Sequence, residues 1–518
     1  MTVLAWDIGT SGVKAVVVDR SGRILAAARR SYGLVTRADG WVEQDLDAIE
    51  AAIGEATREL LTDPLCRAGD VEAIGLTAQM FDLAAVDADG RQTIPMLSWL
   101  DQRAVGEAEA LAAVVDRRRQ AQLFGSIVTA KDVIPKIAWL RDQRPDAWRR
   151  TRWLLDCKEA IVLRLTGRAV IDPAGALAFR LADPLSASWS AAACAAAGVP
   201  LERLPAIEPA STVAGTLLPE VAARLGLGAA VPVVVGAGDV PASQLGAGAT
   251  DPGDAHVSLG TAVYFGITVD RPLADPAGQL GVIGHADPRL FILWLEVATG
   301  GGALSWLLRA LGDGAEPDAA ALAGLDREVA GVAAEMDDLV FAPWLSGERV
   351  PVFDDRIRGA FVGLGLRHGR GHLLRALMEG VAYQMRWALD YGERFGPAVG
   401  EVRGVGGGFI GTSWTQIIAD VLDRPILSIR HPQDAAAVGA AACALVAIGA
   451  QSDLRFVREI AEVERTHRPD PANRARLDAG YARFRQLYEA LAPLFSGEPA
   501  RDTPAVAVPP ALESAAAP

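Results

Sequence analysis

AWDIGTSGVKAVVVD, residues Ala5 to Asp19, is the stretch on which the reading of the chain turns. An apolar run carries one carboxylate, Asp7, breaks at Gly9-Thr10-Ser11-Gly12 and resumes beyond Lys14 as Ala15 to Val18. The pattern predicts a β-hairpin. Turn geometry alone asks for Gly or Asn; here two hydroxyls, an acid before the turn and a lysine after it are added. Backbone N–H groups, hydroxyls and an ammonium suit a phosphate, and a nearby carboxylate suits the Mg²⁺ that travels with one. An edge hairpin with a polar turn has the same outline, so this stretch leaves both readings open.

A second stretch repeats the design. His256 to Asp270 (HVSLGTAVYFGITVD) is again strand, Gly-Thr turn, strand and acid, with Gly260-Thr261 in the place of Gly9-Thr10. Two such hairpins predict two domains of similar α/β fold facing one another, with a nucleotide's phosphates in the cleft between them. The length of 518 residues agrees, since it exceeds what one core usually serves and divides into domains of roughly 240 residues. The expected division is 1–247 and 248–492, followed by a Pro- and Ala-rich tail, 493–518, whose composition predicts disorder.

Between the hairpins, Val231 to Val235 is a short, fully apolar run, as in a central strand buried on both faces. It runs into Gly236-Ala237-Gly238-Asp239, and Pro241 suits the first turn of a helix. An acid at a strand end beside a helix N-terminus sits where α/β proteins keep their sites; a plain helix cap is the other reading of Asp239. Met96 to Arg103 (MLSWLDQR) gathers a tryptophan, an acid and an arginine, and helical patterns follow at Pro135 to Gln143 and at Trp153 to Leu165. Near the end, Gly406 to Gly411 matches G-x-G-x-x-G after a strand and before a helix. That motif admits a nicotinamide-dependent oxidoreductase, but the next strand ends in Arg430-His431 without the acid that a ribose needs. A backbone platform for an adenosine explains the same glycines.

The formal charge of −14, without a Lys/Arg-rich block, argues against nucleic-acid binding. Four scattered cysteines and six scattered histidines suggest neither a disulfide frame nor a zinc site, and fit reduced thiols in a cytoplasmic protein. The N-terminus enters a strand at once, without a signal-peptide pattern. The longest uncharged run, Ala435 to Ala450, is too short and too rich in Ala and Gly for a bilayer span, and predicts a helix packed closely on a sheet.

Taken together, DIGTSGVK (Asp7 to Lys14), GAGD (Gly236 to Asp239), SLGT (Ser258 to Thr261), LSGERVP (Leu345 to Pro351), GAFVGL (Gly359 to Leu364) with HLLRALMEG (His372 to Gly380), and GGGFIGTSWTQIIAD (Gly406 to Asp420) resemble the FGGY carbohydrate kinases, and within them the xylulokinase branch. The resemblance runs to about residue 490. It implies two actin/ribonuclease H-like domains, ATP with Mg²⁺ between them, and phosphorylation of a sugar or polyol hydroxyl. It implies Asp239 as general base, Asp7 for the metal, Thr10, Ser11, Lys14, Gly260 and Thr261 for the phosphates, and Gly301, Ser305, Gly407, Gly408 and Gly411 for the adenosine. Gln79, Met80, Phe81, Trp99, Asp101 and Arg103 would meet the sugar. A homodimer is compatible with it. One departure bears on the substrate: where xylulokinases usually follow Gln-Met with His-Gly, this chain has Phe81-Asp82. The expectation is that D-xylulose is not the best substrate and that another small ketose or polyol with an apolar edge facing Phe81 is preferred, with Asp82 and Asp101 repelling an anionic sugar unless Arg103 is free to pair with it. Ribulose, glycerol, erythritol and gluconate specificities stay open, as does an actin-like ATPase that transfers nothing to a sugar.

Overall fold

The structure is a computed structural model and describes residues 1–495 apart from 38–39, 274, 276, 313–318, 333–338 and 410. Its first strand, Thr2–Ile8, pairs antiparallel with Gly12–Asp19, which pairs with Ile24–Ser31. On its other side it runs parallel to Val71–Ala78. Pro232–Val234 follows in parallel, and Val213–Thr216 closes that edge antiparallel. The inner strands are covered on both faces, which is why Val3, Leu4, Ala5, Val233 and Val234 are all buried without alternation.

The second sheet repeats this order. Ala255–Leu259 pairs antiparallel with Val263–Val269, which pairs with Phe291–Val297. On the far side come Val402–Val405 and Ile426–Ile429 in parallel, then Val463–His467 antiparallel. Gly281–Gly284 is an added edge strand. The two Gly-Thr turns therefore occupy equivalent positions, as the repeat in the sequence predicts.

Two helices join the halves. Asp239–Gly246 leaves the first sheet, and Ala435–Ala447 leaves the second sheet yet packs on the first, its Ala440, Ala441 and Ala444 clustering with Val3, Ala5, Val16 and Val18. Small residues permit the close approach: a Cβ on Gly439 would lie 2.1 Å from the carbonyl oxygen of Ala242. This is the tightly packed helix expected from the uncharged run at Ala435.

A helical insertion sits on the first domain, with Val133–Gln143 packed through Ile137, Trp139 and Leu140 around Phe179. Its continuation differs from the sequence reading. Trp153–Leu155 is a strand, paired antiparallel with Ala84–Val86, and the helix starts only at Cys157. Asp156 decides this, accepting a hydrogen bond from Cys157 N and so capping the helix four residues later than apolar spacing suggests. The helix Arg474–Phe495 runs three residues into the stretch expected to be tail; the rest of that stretch lies outside the described residues. No helix among the described residues is long and apolar enough to cross a membrane.

Candidate active site

The turn after Thr2–Ile8 is closed by Gly9 N donating to Gly12 O at 2.9 Å, which leaves Thr10 and Ser11 at its tip, half-buried and exposed respectively. Asp7 is the last acidic group of the strand before it. Burial holds its carboxyl above the usual range, while Lys14 on the neighbouring strand works against that. Lys14 reaches the head of the helix Ala435–Ala447: its ammonium donates to the Gln433 carbonyl and lies 3.0 Å from Asp434 Oδ1. Arg29 shares that carboxylate at 3.5 Å.

Asp239 opens the helix Asp239–Gly246, with Gly238 as its cap residue. Its Oδ1 accepts from Val240 N at 2.8 Å. Burial, with the Asp7 carboxylate second, pushes its pKa up to about 7. Gly238 has a packing reason, since a Cβ there would lie 2.3 Å from Met80 Sδ. The turn is held from behind by a group that the sequence reading missed: buried Lys158 donates to Val235 O at 3.1 Å and sits between Glu159 (2.5 Å) and Asp172 (3.1 Å).

The residues expected at the sugar divide into two sets. Gln79, Met80, Phe81 and Trp99 lie around the end of Val71–Ala78. Gln79 Nε2 donates to Gln44 Oε1 (2.5 Å), and Gln44 Nε2 to Thr10 O (2.9 Å). Trp99, 38 % exposed, donates its indole N–H to Thr10 Oγ1 at 3.0 Å. Met80 and Phe81 belong to a small apolar cluster with Ala178 and Val240 that also takes in Ile283, Ile292, Tyr264 and Trp294 of the second domain.

Asp101 and Arg103 are placed differently from the expectation. Asp101 is fully buried, accepts from Val42 N at 2.6 Å and takes the Arg103 guanidinium on both oxygens. The remaining Arg103 nitrogen meets Glu43 at 2.9 Å, and the guanidinium lies between the rings of Trp41 (3.9 Å) and Trp139 (4.8 Å). Each guanidinium nitrogen of Arg103 already meets an acid and the side chain is buried, so Arg103 is not free to take a substrate carboxylate. Asp82 is also fully buried, its Oδ1 accepting from Trp99 N at 2.7 Å, and burial pushes its pKa up to about 7.

In the second domain Gly260 and Thr261 are exposed at the matching turn, and Gly301 N donates to Gly260 O at 2.7 Å. The turn thereby abuts the start of the helix Gly301–Leu311, which carries Ser305. Gly407, Gly408 and Gly411 line the entry to the helix Thr412–Leu422. Gly408 is required by packing, because a Cβ would lie 2.3 Å from Leu259 Cγ, whereas Gly407 faces open space. A further buried acid, Glu348 of LSGERVP, accepts from Ala298 N (2.9 Å) and Arg349 N (2.8 Å), and burial pushes it up to about 8. Among the described residues no three His, Cys, Asp or Glu side chains gather to hold a metal unaided. Mg²⁺ takes one or two carboxylates and completes its shell with phosphate oxygens and water, and Asp7 at the end of the first strand is one such donor.

Two sheets of one topology, joined by the packed helices Asp239–Gly246 and Ala435–Ala447, define an α/β protein of the two-domain actin/ribonuclease H-like class. The chain belongs to the FGGY family of carbohydrate kinases: the family's N-terminal domain matches residues 2–246 and its C-terminal domain residues 255–448. It is similar to the xylulose kinase of Escherichia coli (strain K12), at 31% identity over 95% of this chain and 99% of that protein. It is also similar to the glycerol kinase of Bordetella parapertussis, at 30% identity over 94% of this chain and 96% of that protein. Among solved structures, a xyloylose kinase from Brucella ovis superposes with a TM-score of 0.87 and 32% identity, covering 95% of this chain and all of that one. The chain is therefore a phosphotransferase acting on a carbohydrate.

Proposed function

We propose that this carbohydrate kinase transfers the terminal phosphoryl group of ATP to a hydroxyl of a small neutral ketose or polyol, with Asp239 as general base. The observation that carries the reading is Asp239 itself: a carboxylate at the cleft, at the first turn of a helix, with a pKa near neutrality where a base works best. The acceptor hydroxyl loses its proton to the free Asp239 Oδ as its oxygen bonds to the terminal phosphorus. The bond from that phosphorus to the bridging oxygen breaks, and ADP leaves.

Alignment and charge neutralisation supply most of the acceleration in such transfers. Thr10, Ser11 and Lys14 would hold the terminal phosphates from one domain and Gly260-Thr261 from the other. Gly301, Ser305, Gly407, Gly408 and Gly411 would cradle the adenosine, with Gly407 the position whose missing side chain leaves room. Mg²⁺, held by Asp7, would offset phosphate charge. Gln79, Met80, Phe81 and Trp99 would line the acceptor site, and Asp101 and Arg103 would support it without contact.

The neutral acceptor rests on the apolar side chains of Met80 and Phe81 beside two cleft carboxylates, Asp7 and Asp239. The relatives are named for different acceptors, xylulose, glycerol and gluconate, so the choice falls to a test. ADP release is measured on xylulose, ribulose, glycerol, erythritol and gluconate, with the phosphorylated product identified by mass. Acceptor-dependent ADP release with a neutral phosphosugar supports the reading, while ATP hydrolysis indifferent to every acceptor would favour an actin-like ATPase.

A further inference from the structure

Phe81 adopts φ +68°, a left-handed conformation that bulky residues rarely enter and that persists only where the surroundings enforce it. Both of its peptide groups are gripped, from two different helices. Asp156, buried at the head of Cys157–Thr166, accepts from Phe81 N at 2.8 Å and from Asp82 N at 3.1 Å, besides Cys157 N at 2.8 Å. Lys136, fully buried on Val133–Gln143, donates to Phe81 O at 3.0 Å and to Ser98 O at 2.8 Å. The neighbouring Asp82 ties the same segment to Trp99 N.

A helix cap needs only a hydroxyl or amide, and an amphipathic helix face needs no lysine in its core. Burying Asp156 and Lys136 together is costly unless their bonds are used. What those bonds fix in common is one strained residue, and its ring reaches the apolar cluster formed by Met80, Val240, Ile283 and Ile292 at the cleft. Strain of this kind gathers where a side chain must be aimed.

We propose that Asp156 and Lys136 are positioning residues for substrate selectivity: they clamp Phe81 in its left-handed conformation so that its ring stands as the apolar wall of the acceptor pocket. The clamp rests on the carbohydrate-kinase reading of the cleft at Asp239. Without it Phe81 relaxes toward an ordinary conformation, the ring leaves the wall, and acceptors that differ in size along that edge are no longer told apart. An apolar wall discriminates by about ten- to two-hundredfold, so its loss has a measurable ceiling.

The test is the ratio of kcat/KM between the best and the second-best of xylulose, ribulose, glycerol and erythritol, taken on the full-length protein. Asp156→Asn, which offers an N–H where one acceptor oxygen stood, should lower that ratio about tenfold while the KM for ATP stays within about twofold. Lys136→Gln should act in the same direction. Phe81→Gly, a residue at home at positive φ, should lower the ratio by itself, and Asp156→Asn added to it should lower it no further. A ratio unchanged in Asp156→Asn and Lys136→Gln overturns the clamp, as does an additive loss in the double variant. Should neither clamp variant fold, Phe81→Gly decides: an unchanged ratio there overturns the proposal. A wild type that phosphorylates none of the four overturns the neutral-acceptor reading and the clamp with it, whereas an active wild type with insensitive ratios overturns the clamp alone.

Discussion

Trp99 donates its indole N–H to the hydroxyl of Thr10 at 3.0 Å, so one hydrogen bond ties the segment proposed for the acceptor to the turn proposed for the phosphates. Gln44 makes a second tie, between Gln79 and the Thr10 carbonyl. Trp99→Phe keeps the ring and removes the donor. A net hydrogen bond is worth about 0.5–1.5 kcal/mol, so kcat/KM for the acceptor should fall about two- to tenfold. Initial-rate kinetics on both substrates check it; a fall confined to ATP would show that the bond serves the nucleotide alone.

Stability should depend on pH through Asp239. Its native pKa, about 7, lies above that of an ordinary aspartate, so the folded chain holds a proton that the unfolded chain has released. Between about pH 4 and pH 7 the contribution of this group to stability therefore falls as pH rises, and it levels off above. Asp239→Asn removes the buried charge and should raise Tm above pH 7 by a few degrees, with the gain vanishing below pH 4. Thermal unfolding of both proteins from pH 4 to 8 tests the sign; a variant less stable at pH 8 would contradict it.

Lys14 cannot serve Asp434 and a phosphate equally. In the structure it braces the two domains through Asp434 and Gln433. Binding of a non-hydrolysable ATP analogue with acceptor should draw Lys14 toward the phosphates and let the cleft close, as hinged kinases do. Small-angle scattering should record a smaller radius of gyration with both ligands. Asp434→Asn should lower Tm, because it leaves Lys14 and Arg29 without their shared acid. Identical radii with and without ligands would contradict closure.

The architecture was legible because it is repeated and local. Apolar runs broken by Gly-Thr turns marked both hairpins, and the apolar run before Gly236 marked the central strand that leads to Asp239. What stayed hidden depends on contacts distant in sequence. Nothing near Asp101 or Arg103 says that Glu43, Trp41 and Trp139 enclose them, and the resemblance alone places both at the sugar. The same holds for Lys158, whose partners Asp172 and Val235 come from elsewhere in the fold. Asp156 carried the one local signal that could have been used: an acid before a helical run is a cap, and it would have split Trp153–Leu155 from the helix.

Phe81 also predicts a substrate order. A pocket that hydrogen-bonds one hydroxyl rejects analogues lacking it strongly, and Phe81 cannot form that bond where the resemblance leads one to expect His. D-xylulose should be a poorer acceptor than at least one of ribulose, glycerol and erythritol, and Phe81→His should shift kcat/KM toward xylulose. If xylulose is already the best acceptor of the wild type, the residue at 81 does not set the choice.

Asp239 is the group on which phosphoryl transfer depends in the proposed reaction. The decisive measurement is acceptor-dependent turnover and ATP affinity in Asp239→Asn against wild type, read as phosphosugar formed and nucleotide bound. Turnover should drop about 10²–10⁴-fold, the range of a positioned acid–base group, with ATP affinity nearly intact. Undiminished turnover in Asp239→Asn would contradict it.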